Sequence, residues 1–280
     1  MRIACLQMRS TRAVQRNIEA FRALVEEAVA AGASFLQSPE MSNIVERNRA
    51  DLFAAIRPEA EDAFLAEARA LARRHRITIH LGSLAIREGE KIANRGFVIA
   101  PDGSIAARYD KLHLFDVDLP NGESWRESAT YTAGACAIIT PLEGGAMLGM
   151  GICYDLRFPT LYRALAEAGA DILSAPACFT KQTGEAHWVV LHRARAIETG
   201  SYMVSAAQGG LHEDGRETFG HSIIIDPWGR VLAEAGNEPC ILLADLDRAL
   251  VADARSRIPT LKHGRVITVE RMPMMASPPP

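Results

Sequence analysis

The sequence predicts a layered α/β protein: a four-layer α-β-β-α sandwich with an internal pseudo-twofold repeat. Three observations carry this expectation. Short β-rich runs alternate with long amphipathic runs from the first residues onward, the element order of the first half returns in the second, and no Ser/Gly-rich linker separates the halves. A single domain over residues 1–272 is therefore expected, with two packed sheets inside and helices outside. Residues 273–280 read as a Pro-rich tail, since their prolines cannot enter a ladder or a helix interior.

The elements follow in order. Arg2 to Met8 is a first strand. From Thr11 to Ala31 the apolar positions Val14, Ile18, Phe21, Val25 and Ala28 recur every three or four residues, and Gly32 stands where a helix ends. Ser34 to Gln37 is a second strand, halted by Ser38-Pro39-Glu40, and a loop follows. Pro58 opens a helical run to Arg74, with Glu59, Glu61 and Asp62 at its positive end. Ile77 to Ser83 is the next strand, and Gly96 to Ala100 and Ser104 to Tyr109 flank the turn Pro101-Asp102-Gly103. The second half restarts with a strand over Met147 to Cys153 and a helix over Pro159 to Ala168. A strand over Asp171 to Ala175, a helix from about Glu185 to Thr199 and a strand over Tyr202 to Ala207 come next. A hairpin, His221 to Ile225 and Val231 to Ala233, turns at Asp226-Pro227-Trp228-Gly229.

Composition narrows the function classes. Hydrophobic residues make up 48% and charged residues 23%, the balance of an ordinary globular chain. With 31 basic and 34 acidic side chains the net charge is −3, which gives no bulk attraction for nucleic acid or an anionic membrane. Met1 to Arg9 is too broken by polar groups for a signal peptide, and no stretch reaches the ~18 apolar residues of a spanning helix. A cytoplasmic protein acting on a small molecule is expected. Five scattered cysteines, Cys5, Cys136, Cys153, Cys178 and Cys240, suggest neither a disulfide framework nor a zinc site. His187 and His192 lie five apart rather than four, so metal is not expected either. His113, His187 and His221 read as hydrogen-bonded structural residues rather than as partners of a cysteine nucleophile.

Three positions stand at the ends of strands, where open α/β sheets place ligand crevices. Cys153 follows the apolar run Met147 to Ile152, Glu40 follows Pro39, and Lys111 lies in the apolar stretch Tyr109 to Phe115. Each alone has an ordinary reading as core filler or surface charge. Together, Ser38-Pro39-Glu40, Tyr109-Asp110-Lys111-Leu112-His113-Leu114 and Gly151-Ile152-Cys153-Tyr154-Asp155 resemble the three signatures of the nitrilase, or carbon–nitrogen hydrolase, superfamily. The resemblance continues through Gly184 to Trp188, Arg193 to Glu198 and Gly220 to Ser222.

What the resemblance implies is a cofactor-free amidase with a catalytic set of Glu40, Lys111 and Cys153. A second glutamate supports it: Glu127 matches that position best, and Glu123 is its neighbour and competitor. Cys153 would be acylated while Glu40 moves the proton, and Lys111 with the Tyr154 backbone N–H would hold the oxyanion. Cys178 and Phe179 are expected to line the pocket, and Arg157, Arg193, Arg195 or Arg216 either meets a substrate carboxylate or forms an internal or interface ion pair. The segment Gly209 to Ser222 resembles the deaminated-glutathione amidase branch. An ω-amidase for α-ketoglutaramate-like substrates, a nitrilase and a non-catalytic scaffold on the same fold are the alternatives. Family resemblance further implies a homodimer, or a larger assembly, joined through helices after Pro159 and around Glu185 to Thr199.

Overall fold

A computed structural model describes residues 1–120 and 122–272; the expected tail over 273–280 lies outside the described residues. Along the chain come β1 (Arg2–Gln7), α1 (Val14–Ala30), β2 (Phe35–Gln37), α2 (Arg49–Ala55), α3 (Ala63–His75), β3 (Thr78–Glu88), β4 (Lys91–Ile99) and β5 (Ile105–Asp110). Then follow β6 (Asp116–Asp118), β7 (Ser124–Arg126), β8 (Tyr131–Thr132), β9 (Ile138–Pro141), β10 (Met147–Met150), α4 (Pro159–Glu167), β11 (Ile172–Ser174) and α5 (Lys181–Thr199). The last elements are β12 (Tyr202–Ser205), β13 (Gly209–Leu211), β14 (Glu217–Phe219), β15 (Ile223–Ile225), β16 (Val231–Glu234), β17 (Cys240–Asp245) and α6 (Ala249–Arg257).

Two sheets form the centre, and their strand orders correspond. One runs β17-β1-β2-β3-β4-β5, with β8 also joined to β4; the other runs β9-β10-β11-β12-β15-β16. In each, three successive parallel strands lie at the middle, an antiparallel strand closes one side, and an antiparallel pair closes the other. Strand periodicity assigns the layers. Ala4, Leu6 and Leu36 pack with Phe21 and Val25 of α1 and with Phe64 and Leu71 of α3. Ile3, Cys5 and Phe35, one residue out of step, join Leu148, Met150 and Ile172 of the second sheet. Helices α4 and α5 cover that sheet's far side, completing the four-layer α-β-β-α arrangement.

Buried glutamines stitch the sheets together where apolar packing alone would leave backbone groups unsatisfied. Gln37 of β2 accepts from Ala206 N (2.7 Å) and meets His80 Nδ1 (3.1 Å), and Gln7 of β1 accepts from both Ser222 N and Ser222 Oγ at 2.9 Å. Their amides pair donors with acceptors across the interface and so fix its register.

Several expected boundaries move. The helical run from Pro58 is a short 3-10 turn over Glu59–Glu61 followed by α3, because the Asp62 carboxylate accepts from Leu65 N at 2.8 Å and caps a fresh helix. The loop after Glu40 contains α2, capped by Asn48. The strand expected over Ile77 to Ser83 continues to Glu88 against a β4 that begins at Lys91, and β6, β7, β8, β9, β13, β14, β17 and α6 were not foreseen. Of these β17 matters most: it carries the chain's late residues back beside β1, Arg2 opposite Asp245, and closes the first sheet.

Candidate active site

The site forms where strand ends of both sheets meet. The chain leaves β2 through Ser38, whose N–H still bonds His80 O (3.0 Å), and Pro39 turns it so that Glu40 faces inward, 3% exposed. Gln208 Nε2 holds the Glu40 carbonyl at 3.1 Å, and Met41 takes a left-handed φ of 57°. Lys111 comes directly after β5, its N–H on Asn94 O (3.0 Å), and is 2% exposed. Cys153 follows β10 after Gly151 and Ile152. A Cβ on Gly151 would meet Tyr162 Oη at 2.7 Å, so only glycine lets this strand end pack so closely.

Cys153 itself has φ 48°, which costs a non-glycine residue about 1–3 kcal/mol. The strain is held by neighbours. Cys153 N donates to Pro176 O (3.0 Å), and buried Asp155 accepts from Ile152 N (2.9 Å). The same Asp155 carboxylate accepts from Tyr109 Oη (2.7 Å) and His113 N (3.0 Å) and pairs with His113 Nδ1 (2.7 Å). Tyr109 and His113 bracket Lys111. One carboxylate therefore fixes the cysteine turn and the lysine segment relative to each other.

Lys111 Nζ lies 2.9 Å from Glu40 Oε1 and 2.9 Å from Glu127 Oε2. Asn94 Nδ2 bridges the same two acids at 2.9 and 3.1 Å. Cys178 N donates to Glu40 Oε2 (2.8 Å), and Phe115 N to Glu127 Oε2 (2.6 Å). The Cys153 thiol lies close enough to both Glu40 and Lys111 for each charge to bear on its ionisation. Burial works against the Glu40 carboxylate, but the Lys111 charge and the hydrogen bonds from Lys111 and Asn94 hold it below its ordinary range. Burial also works against the Lys111 ammonium, and Glu127 and Glu40 together keep it well above its ordinary value. The Cys153 thiol is pushed well up by burial and by Glu40, which the Lys111 charge only partly offsets. The resting arrangement is thus a neutral thiol beside a carboxylate, with a cation at hand.

These groups open onto a cavity of about 400 Å³, which Tyr154, Cys178 and Phe179 also line. Burial pushes the Cys178 thiol up to about 11. Glu127, not Glu123, is the glutamate paired with Lys111; Glu123 lines the cavity and accepts from Trp125 Nε1 (3.2 Å). Arg157 is not among the lining residues: its guanidinium stands 5.4 Å from the Phe179 ring and meets His187 Nδ1 at 3.2 Å. Arg193 and Arg195 are engaged by Gly229 O and by Leu156 O and Glu198. Arg216 does line the cavity, as do Trp125 and Arg47. Sequence reasoning missed Asn94, Trp125 and Asp155 as site-forming residues. A polar residue between Ala93 and Arg95 in an otherwise inward-packing strand is the one signal Asn94 offered.

Residues 2–256 match the carbon–nitrogen hydrolase family. The chain is 40% identical to a deaminated glutathione amidase of Synechocystis sp., over 93% of this chain and 96% of the relative, and 38% identical to that of Rattus norvegicus, over 94% and 82%. Among solved structures, the Caenorhabditis elegans NitFhit protein superposes with a TM-score of 0.88 at 35% identity, covering 94% of this chain and 65% of that longer one. An amidase from Nesterenkonia sp. superposes at 0.77 with 28% identity, covering 92% and 98%; a variant of it has acrylamide added at its active-site cysteine. The extent of these matches makes the chain a member of the carbon–nitrogen hydrolase family.

Proposed function

We propose that residues 1–272 form one catalytic domain that hydrolyses the amide bond of a small carboxylate-bearing substrate, deaminated glutathione first, through an acyl-thioester on Cys153. The observation that carries this reading is the buried contact of a neutral Cys153 thiol with a Glu40 carboxylate that Lys111 keeps ionised.

A neutral thiol needs its proton removed as it attacks. Glu40 takes that proton while Cys153 Sγ bonds to the amide carbon, and the C=O pair moves onto oxygen. Lys111 Nζ and the Tyr154 N–H hold the oxyanion; the turn's own hydrogen bonds run from Cys153 N to Pro176 O and from Asp155 N to Ile152 O, leaving Tyr154 N–H for this use. Such donors contribute about 3 kcal/mol each to the transition state. The intermediate collapses, the C–N bond breaks, and protonated Glu40 gives its proton to the departing nitrogen. Water then loses a proton to Glu40 as it attacks the thioester, and Cys153 leaves as a thiol by recovering that proton. Glu127 keeps Lys111 placed between the two acids, and its two oxygens accept from Lys111, Asn94 and Phe115.

The relatives named deaminated glutathione amidase support the substrate choice. Product release from deaminated glutathione, glutaramate-type ω-amides and nitriles tests it: kcat/KM should be highest for the first, and a preference for nitriles would reject the assignment. Five unpaired cysteines fit a reducing compartment, and we assign the enzyme to the cytoplasm. The exposed apolar Val190 and Ile197 of α5 support a homodimer through that helix, expected as twice the chain mass in light scattering.

A further inference from the structure

Arg216 has the charge of Asp214 nearby but leaves most of its hydrogen-bond donors unused. Its guanidinium has five N–H donors, yet its hydrogen bonding among the described residues amounts to one contact, Nη1 to Cys178 Sγ at 3.5 Å. Asp214 Oδ2 is 3.8 Å from Arg216 Nε, beyond hydrogen-bond reach, and both atoms are buried with no hydrogen-bond partner. The side chain is only 17% exposed, so water does little to compensate, and unsatisfied donors at such a site are costly. What holds the group is stacking: its carbon Cζ lies 4.6 Å from the centre of the Trp125 ring, and Arg47 Cζ lies 4.7 Å from the same centre. Cys178, which Arg216 touches, is the residue whose N–H holds Glu40 Oε2. The unfilled guanidinium therefore faces the same cavity as the reactive thiol, one residue removed from its base.

A planar fork of unused donors, fixed on an indole beside the reaction centre, matches a carboxylate in shape and charge. We infer that Arg216, seated on Trp125, binds a carboxylate of the amide substrate and is the residue that makes the enzyme prefer anionic over neutral amides. This rests on the amidase reading above. Arg157, Arg193 and Arg195 are outside the cavity and engaged elsewhere; of the other arginines that line it, Arg126 holds Asp118, Arg49 holds Glu90 O, and Arg47 is exposed.

Matched pairs in which a terminal carboxylate is replaced by its isosteric amide test the assignment: succinamate with succinamide, glutaramate with glutaramide, adipamate with adipamide. In the wild type the best anionic member should exceed its neutral twin in kcat/KM by about 100-fold, and Arg216→Gln should abolish that gap by slowing only the anionic member. Arg216→Lys should restore part of it. A second readout needs no turnover. Pentanoate should protect Cys153 from iodoacetamide in the wild type and not in Arg216→Gln, while pentanamide should protect neither. Equal losses on both members of a pair, or pentanoate protection that survives Arg216→Gln, would overturn the inference. Should the wild type hydrolyse neither these amides nor deaminated glutathione, the amidase reading fails, and the protection result still decides the role of Arg216.

Discussion

The two halves of this molecule share a frame and divide the chemistry. Both contain three parallel strands flanked by antiparallel ones, and both turn through an X-Pro step after the second parallel strand: Ser38-Pro39 beyond β2 and Ala175-Pro176 beyond β11. A Cβ on Gly82 would lie 2.4 Å from Pro176 Cβ and 2.3 Å from Ser38 O, so the two turns are pressed together at one point. Yet the first half supplies the ionised groups, Glu40 and Lys111, and the second supplies the thiols, Cys153 and Cys178. The shared strands set distance and direction, whereas the differing loops set charge. The left-handed residues Met41 and Cys153 stand one in each half, directly at these reactive positions.

The sharpest way to break the comparison is to exchange the two thiols of the second half. Cys153→Ala should lower turnover by about 10⁴-fold or more with the fold intact by circular dichroism, whereas Cys178→Ala should stay within about tenfold, because the Cys178 contact to Glu40 is made by its backbone N–H. Next in size, Lys111→Met removes the charge contributed by the first half. A kcat loss of about 10²–10³-fold is expected, together with a destabilisation of about 3–5 kcal/mol in denaturant melts, since two buried acids lose their cation.

The pH dependence separates the halves in another way. Because Glu40 is held below its ordinary range and Lys111 well above its own, kcat/KM for an uncharged amide should fall only below the usual carboxylate range on the acid side and only above the usual lysine range on the alkaline side. An activity limb near neutral pH would contradict both assignments. Stability should behave differently. His80 of the first sheet and His192 of α5 are buried and depressed to about 3 by burial, from an ordinary 6.5. Below pH 6.5 the unfolded chain binds protons that the folded one refuses, so stability is full above 6.5 and is lost as pH falls toward 3. The expected slope is about 1.4 kcal/mol per pH unit for each histidine. His80→Asn should remove one histidine's share of that slope in urea melts taken from pH 7 to pH 4.

The reactive positions were legible in the sequence because each follows an apolar strand within a recognisable motif, and the alternation of elements was enough for the layered fold. Asn94 and Trp125 were harder to read, and Arg216 was one of four candidate arginines that sequence could not separate. Their roles depend on which loops converge, and nothing local to Lys91–Ile99 says that Asn94 meets two glutamates from elsewhere. For the same reason β17 escaped notice: its partner β1 lies at the other end of the chain, so periodicity alone does not reveal the pairing. Arg157 illustrates the converse, a charged residue close to Cys153 in sequence that turns away toward His187.

The most direct test of the central claim is rapid-quench mass spectrometry of the enzyme mixed with a slowly hydrolysed amide, followed by peptide mapping. A transient acyl mass on the peptide containing Cys153, forming at a rate that drops sharply in Glu40→Gln, is the expected result. Turnover that proceeds with no adduct, or an adduct carried by Cys178 instead, would contradict it.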